Sequence, residues 1–464
     1  MTRINTRLLA RTTADVRTGQ HRRRRFLRFW ATFGADISWY GISKIVPGLT
    51  GFVQIAFFIR AAGSVEYGYY TVLWAASTVI ASLGSGWIRQ SSLRFSGDLD
   101  NTVAGLQLRT IAATTVVATG VAIPAVFLTL PHLATNLEFL VIAVGMTTAT
   151  GAQQVSVTLL QAQRRARVIA ISESARAILW FAIGTALLIT DSIPGAEAIM
   201  ASAMASSILV TVINLWLLEP KVASRGSWET TKRWWVFGWP MSLWLSIAAI
   251  LQFSDRILIQ HINGTSLAGN YGAVYDATTR GLAVCVFPVT MASHSLIMNH
   301  WNQDEGSKAK VLNRIAILIQ IAIFLPILVI AIIFRTMSVR LLIGQANSGM
   351  GDVVIPLILG SFLWLLSLSA HKVLEVHKRT RVMLANVSIC TAANVVGNLI
   401  FLPHFGPVAA AWTTFAAAVL YFALTQISAA ILLGSASDRW KVPRQQAVAV
   451  TERQRILPTS SLSS

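Results

Sequence analysis

The sequence predicts an all-α integral membrane protein of about twelve transmembrane helices, in two six-helix lobes related by a parallel repeat. Three observations carry that expectation. Only 12% of the 464 residues are charged while 54% are hydrophobic, and mean hydropathy is +0.60. A soluble domain carries roughly 25% charged residues, so too few polar groups exist here to cover a globular surface, and lipid must cover most of it. Twelve apolar runs are each long enough to cross a bilayer as a helix, which takes about 20 residues. Finally, the stretch from Gly63 to Tyr70 (GSVEYGYY) returns 201 residues later as Gly264 to Tyr271 (GTSLAGNY), a G-x4-G-x-Y pattern between apolar runs each time.

In chain order, a basic N-terminal tail over 1–38 precedes an N-lobe over 39–218. Its spans 1 to 6 run at 39–60, 69–92, 110–130, 137–160, 168–190 and 197–218. The polar break at 219–235 is the expected inter-lobe linker. Its Trp228, Trp234 and Trp235 suit an interfacial belt. A C-lobe over 236–433 holds spans 7 to 12 at 236–257, 270–298, 314–334, 353–373, 383–403 and 407–433. The segment 434–464 is polar and Ser-rich, and is expected to be a disordered tail. Six spans in each lobe return the chain to its starting side, so a duplicated half keeps its orientation and the repeat is parallel.

Net charge is +19, which in a soluble protein points to nucleic acid. Its placement argues against such a partner. Of 38 Lys and Arg, four (Arg60, Arg256, Arg335, Arg340) fall at the expected outer side and three (Lys44, Arg176, Arg280) within spans; the rest lie in tails and cytoplasmic loops. Arg164, Arg165 and Arg167 follow span 4, whereas 131–136 after span 3 holds no basic residue. This positive-inside pattern puts both termini in the cytoplasm. The basic charge then sets topology and attracts anionic membrane lipids. Residues 22–30 (RRRRFLRFW) have the composition of a twin-arginine signal. The full-length span after them, and the eleven beyond it, fit a retained tail instead, whose Phe26, Phe29, Trp30 and Phe33 suit the membrane interface.

Both copies of the repeat fall after the first span of their lobe, on the outer side. Glycine there predicts a tight turn with positive φ, and tyrosine an anchor at the interface. Pro47 and Pro240 lie in the first helix of each lobe and should bend it. The longest outer loop, 335–352, leaves no room for an outer catalytic domain. No phosphate-binding G-x-x-x-x-G-K-[ST] loop or H-E-x-x-H metal pair occurs, and Cys285 and Cys390 fall inside spans as small core residues. No cofactor and no metal are expected.

Charges inside a span are costly, which makes them functional candidates. They are Lys44 in span 1, Glu173 and Arg176 in span 5, Asp255 and Arg256 near the outer end of span 7, and Asp276 and Arg280 in span 8. Asp276 with Arg280, and Glu173 with Arg176, share helix faces at i,i+4 and i,i+3. Two readings fit. Each pair neutralises itself so that its helix can insert, or these faces line a water-filled cavity with excess positive charge. The second suits an anionic headgroup, since the Arg fork donates paired hydrogen bonds to phosphate. Lys44 has no acid at helical spacing; its partner is substrate or another helix, or it snorkels to the membrane surface. His294 and His371 are tolerable cavity residues able to relay protons. Asn394 and Asn398 share a face and fit a bridge between helices.

Several of these residues sit in stretches that resemble a known family. The run from Arg60 to Tyr70, then Gly84 to Arg89 (GSGWIR) and Arg94-Phe95, are similar to the first two spans of bacterial polysaccharide flippases of the Wzx type. So are Ser254 to Ile259 (SDRILI), Gly269 to Arg280 (GNYGAVYDATTR) and Phe287-Pro288. The resemblance runs from about residue 38 to 432 and places the chain with the superfamily that includes multidrug/cation antiporters. It implies a translocase in the bacterial inner membrane. Its substrate would be an undecaprenyl-diphosphate-linked oligosaccharide, moved by alternating access for lipopolysaccharide or exopolysaccharide biosynthesis. Arg280 would line the cationic cavity, and a polysaccharide polymerase and chain-length regulator would be partners. An antiporter of cationic drugs would prefer acidic groups in its cavity, and a membrane polymerase or ligase would need a long outer loop.

Overall fold

The computed structural model describes residues 4–94, 120–126, 128–130, 133, 135–163, 165–218, 228–344 and 349–442, with nearly all side chains from Trp39 onward. These residues form helices joined by turns, with no strand among them. The first helix, Ile4–Arg94, carries the N-terminal segment and spans 1 and 2, broken only at Gly63, where φ is 86° and ψ 164°. Of span 3, residues 120–126 are helical. Spans 4, 5 and 6 are Leu137–Ala162, Ala166–Thr190 and Gly195–Leu218. Spans 7, 8 and 9 are Trp228–Asn263, Thr265–Asn302 and Gly306–Ile343. Span 10 is Gly351–Ala370 with a short continuation Lys372–Val376. Spans 11 and 12 are Thr380–Phe405 and Pro407–Leu433. The chain is thus an all-α, multi-pass membrane protein.

Within the described residues, spans 1 and 2 pack on spans 4 and 5, and span 6 on spans 4 and 5. Span 7 packs on span 11, span 8 on spans 9 and 10, and span 12 on spans 10 and 11. The two groups meet mainly where spans 1 and 2 touch spans 7 and 8. Residues 219–227 of the expected linker lie outside the described residues.

The bundle has two distinguishable ends. At the end holding both copies of the repeat, one apolar core runs through both groups: Ile55, Phe58, Tyr67 and Tyr70 join Ile259, Tyr271, Val274 and Leu357. At the opposite end, where residues 434–442 lie, the core divides. One part is Trp87, Leu159, Leu160, Ile169 and Trp234; the other is Trp244, Leu251, Ile297, Leu374 and Tyr421. Packing is continuous at the repeat end and split at the tail end.

The repeat makes the closure. Gly63 and Gly264 carry the predicted positive φ, 86° and 99°. The second glycine of each copy has another role. A side chain at Gly68 would run into the Thr265 carbonyl, and one at Gly269 into the Ser64 carbonyl. Ser64 and Thr265 occupy equivalent places in the two copies, so the contact is reciprocal, as a parallel repeat requires. The Ser64 and Ser266 hydroxyls, 2.7 Å apart, hydrogen-bond across the seam. Alongside, the Arg60 guanidinium donates from Nε to the Leu342 carbonyl at 3.3 Å and from Nη2 to those of Leu341 and Arg340. A cation there meets the negative end of span 9's helix dipole.

Three expectations need correction. The tyrosines of the repeat are core residues, not interfacial anchors: Tyr70 and Tyr271 are 3% and 0% exposed. Tyr70 packs among Tyr67, Trp74 and Trp180, and the Tyr271 hydroxyl has a buried acceptor, described below. The expected outer loop 335–352 is helical as far as Ile343, with Arg335 paired to Asp352 at 3.1 Å. The C-terminal tail is not disordered from residue 434. Residues 438–440 form a turn of helix, and Trp440 is buried against Trp301 and Gly306. His377 Nε2 donates to the Arg439 carbonyl at 2.9 Å. Burial, then the charge of Arg379, holds that imidazole below its ordinary pKa. Residues 443–464 lie outside the described residues, as do the side chains of the N-terminal tail, which is helical from Ile4.

Candidate functional site

Spans 2 and 7 stay in contact to the tail end. Gly86 meets Ser242, Gly238 meets Trp87, and Ser91 Oγ donates to the Trp234 carbonyl at 2.7 Å. Spans 1 and 8 touch at Gly48 with Val284 and at Gly51 with Arg280.

The sequence-predicted charges fall into three sets. In the first, Arg256 pairs with Asp276, Nη2 to Oδ1 at 2.5 Å, and donates from Nη1 to Thr71 Oγ1 at 2.8 Å. Arg256 is fully enclosed, its guanidinium 4.9 Å from the Phe253 ring centre and 5.0 Å from that of Tyr275. Asp276 thus takes its partner from span 7, not from Arg280 one turn away on its own helix. A guanidinium without water is far costlier to leave unpaired than one with it, and Arg280 is only half-buried. In the second set, Asp255, also fully enclosed, accepts from the Tyr271 hydroxyl and Thr414 Oγ1, each at 2.7 Å, and from Asn398 Nδ2 at 3.4 Å. Asn394 links the same network to Ser254, Asn398 and Thr414. The asparagines bridge spans 7, 11 and 12, as expected. A carboxylate so enclosed carries its charge at high cost unless a proton or a cation joins it. Among the described residues, no three His, Cys, Asp or Glu side chains gather as a metal centre needs.

The third set holds the remaining charges. Arg280 lies against Gly51, where any side chain would displace its guanidinium, and among the described residues it has no hydrogen bond and no acidic partner. Release of Asp276 to Arg256 is what leaves Arg280 uncompensated. Lys44 of span 1 is exposed and likewise unpaired among the described residues. Glu173 and Arg176 do form their own pair at 3.7 Å, with Gln153 donating to Glu173 and the Arg176 guanidinium 5.9 Å from the Trp180 ring centre. Arg89 joins this set. It is half-buried near the end of span 2 and donates from Nη1 to Gln154 Oε1 at 2.7 Å. The charge count places Arg89 in a cytoplasmic loop, although it lies inside the 69–92 run; the span boundary itself is the signal for it. Lys44, Arg89, Arg176 and Arg280 against Glu173 carry a net positive charge.

Apolar grooves lie elsewhere. One of about 530 Å³ is lined by Ile123, Leu140 and Ile208, another of about 680 Å³ by Phe401, Phe405 and Trp412. Their exposed apolar side chains mark lipid contact.

Residues 33–294 match the model of the polysaccharide biosynthesis protein family. Among solved structures, the chain is similar to the lipid II flippase MurJ in an inward closed conformation. That likeness covers 91% of this chain and 93% of that one at 13% identity, with a TM-score of 0.68. It is similar to the MATE multidrug transporter DinF-BH, covering 88% and 96% at 15% identity with a TM-score of 0.66. It is also similar to an inward-facing MATE family transporter of the MOP superfamily, covering 84% and 94% at 15% identity with a TM-score of 0.61. No curated protein matches the chain. At such identities the structural likeness is one of fold. The family match covers more than half of the sequence, and the chain belongs to the polysaccharide biosynthesis protein family.

Proposed function

We propose that this chain is a flippase that carries an undecaprenyl-diphosphate-linked oligosaccharide from the inner to the outer leaflet of the bacterial cytoplasmic membrane, in surface polysaccharide biosynthesis. The observation that carries the reading is Arg280, a membrane-embedded guanidinium without an acidic partner among the described residues. An intramembrane cation is retained for what it binds, and a diphosphate supplies two anionic groups for bidentate donation. The tail end is cytoplasmic in this reading, because the tails carry the Lys and Arg excess. The substrate enters the split between the lobes beside spans 1 and 8. Lys44, Arg89 and Arg176 supply the field that draws its headgroup to Arg280. Alternating access then requires the repeat seam to part while the tail end closes.

Arg280→Ala should abolish surface glycan export while the protein still inserts at wild-type level. The measurement is surface glycan by blotting beside membrane abundance; normal export from the variant would sink the role of Arg280. A reporter fused after Gly264 should give an extracytoplasmic signal, and a cytoplasmic one would overturn the orientation.

A further inference from the structure

A second polar cluster lies in the C-lobe, around His294 and His371, which the sequence offered as proton relays. His294 of span 8 and Glu375 at the end of span 10 face each other with Nδ1 and Oε1 4.0 Å apart. Lys372 Nζ holds the other carboxylate oxygen at 2.5 Å, and His371 Nε2 stands 4.0 Å from it. His371 Nδ1 lies 3.2 Å from the Tyr421 hydroxyl. His371 and Lys372 are buried, whereas the side chains of His294 and Glu375 keep 42% and 30% exposure. Half of the cluster is therefore a fixed floor and half is open.

Three features say what the open half is for. First, a 4.0 Å gap is too long for a hydrogen bond and is the spacing that one inserted oxygen bridges, with the carboxylate accepting and the imidazole completing the pair. Second, ionisable groups in a membrane span face a water-filled cavity or the bundle interior, not lipid, so the exposed edges of His294 and Glu375 look into the split. Third, His294 follows Arg280 by two heptads on span 8. On an ideal helix of about 1.5 Å and 100° per residue that is about 21 Å toward the tail end and within about 40° of the same face, with Pro288 between the two. Phe287, half-buried, is the heptad position between them. A stacked aromatic pair, Trp244 and Trp364 with ring centres 6.3 Å apart, adjoins the cluster, and the edge of His371 meets the Trp244 ring.

We propose that His294 and Glu375, with Lys372 holding the carboxylate, form a binding site for sugar hydroxyls of the translocated lipid-linked glycan. The inference rests on the flippase reading: the diphosphate at Arg280 sets the origin, and the glycan extends along the face of span 8 toward the tail end. Sugar hydroxyls both donate and accept, which matches a carboxylate and an imidazole side by side. The separation of about 21 Å between Arg280 and His294 matches the length of a diphosphate with several sugars. The site reads the distal sugars, so it bears on which glycan is accepted and not on whether a polyprenyl diphosphate is bound.

The test is equilibrium binding to the full-length protein in lipid nanodiscs with two probes. One is lipid-linked oligosaccharide extracted from the strain that encodes the chain; the other is undecaprenyl diphosphate without sugars. His294→Ala and Glu375→Gln should each weaken the first by about tenfold or more, the loss of a hydrogen bond to a charged or partly buried group, and leave the second within about twofold. His294→Ala removes a half-exposed side chain, so it reports even where Glu375→Gln, which strips Lys372 of its partner, misfolds. Equal weakening of both probes, or of neither, overturns the proposal. So does unchanged binding combined with a lost pH dependence of transport, which would make the cluster a protonation site. Arg280→Ala should weaken both probes. If it weakens neither while His294→Ala still discriminates between them, the diphosphate reading fails and the sugar site stands.

Discussion

Arg256→Met is expected to yield little stable protein, and Arg256→Met with Asp276→Leu is expected to recover most of it. Arg256 is fully enclosed, and its charge is answered by Asp276 and by Thr71 of the other lobe. Removing the guanidinium strands a carboxylate in an apolar surround, where breaking a buried pair costs about 3–5 kcal/mol. Removing both partners strands nothing, and apolar replacements of similar size are often neutral or better. Asp276→Asn should be as damaging as Arg256→Met, because arginine cannot shed its charge. The measurement is the monodisperse fraction after detergent extraction together with the unfolding midpoint. A single variant as stable as wild type, or a double variant worse than either single one, contradicts a structural role for the pair.

The seam gives an equally large effect of another kind. With Cys285, the exposed native cysteine, changed to serine, Ser64→Cys with Ser266→Cys should form a disulfide under mild oxidation. The native Oγ atoms stand 2.7 Å apart, within reach of the roughly 2.05 Å bond of a disulfide. Export should fall to the background level when oxidised and return on reduction, since the proposed cycle requires the two copies of the repeat to separate. Either single cysteine should leave export near wild type under both conditions. Undiminished export from the cross-linked protein would show that the seam does not open. The glycines make the same point sterically: a side chain at Gly68 or Gly269 cannot be placed without moving the facing carbonyl.

The helices among the described residues were legible because a membrane span must satisfy its own backbone and be apolar over a fixed length; those constraints act locally and leave a local record. The turn at Gly63 and Gly264 was legible for the same reason, since φ is a property of one residue. What the sequence did not disclose depends on partners remote in the chain. Helical spacing offered Arg280 to Asp276 because periodicity sees only one helix, whereas Arg256 reaches Asp276 from span 7. Tyr271 read as an interfacial anchor because nothing in its own segment announces that Asp255 will accept its hydroxyl proton. Gly68 and Gly269 read as turn residues, though their small size serves a contact across the two lobes. Trp440 stood in a polar, Ser-rich segment and yet packs on Trp301. Lys44 and Arg280 were visible in the sequence as intramembrane charges, because a charge in an apolar run is conspicuous by itself.

The central claim is that an unpaired guanidinium at Arg280 binds the anionic headgroup of a lipid that this chain turns over. Its most direct measurement uses sealed vesicles containing the purified protein, with lipid-linked oligosaccharide from the encoding strain placed in the inner leaflet. Appearance of the sugar in the outer leaflet is read with an impermeant lectin or glycosidase. The account predicts transfer by the wild-type protein well above protein-free vesicles, and none above them for Arg280→Ala. Transfer by Arg280→Ala at the wild-type rate, or no transfer by the wild type above protein-free vesicles, would contradict it.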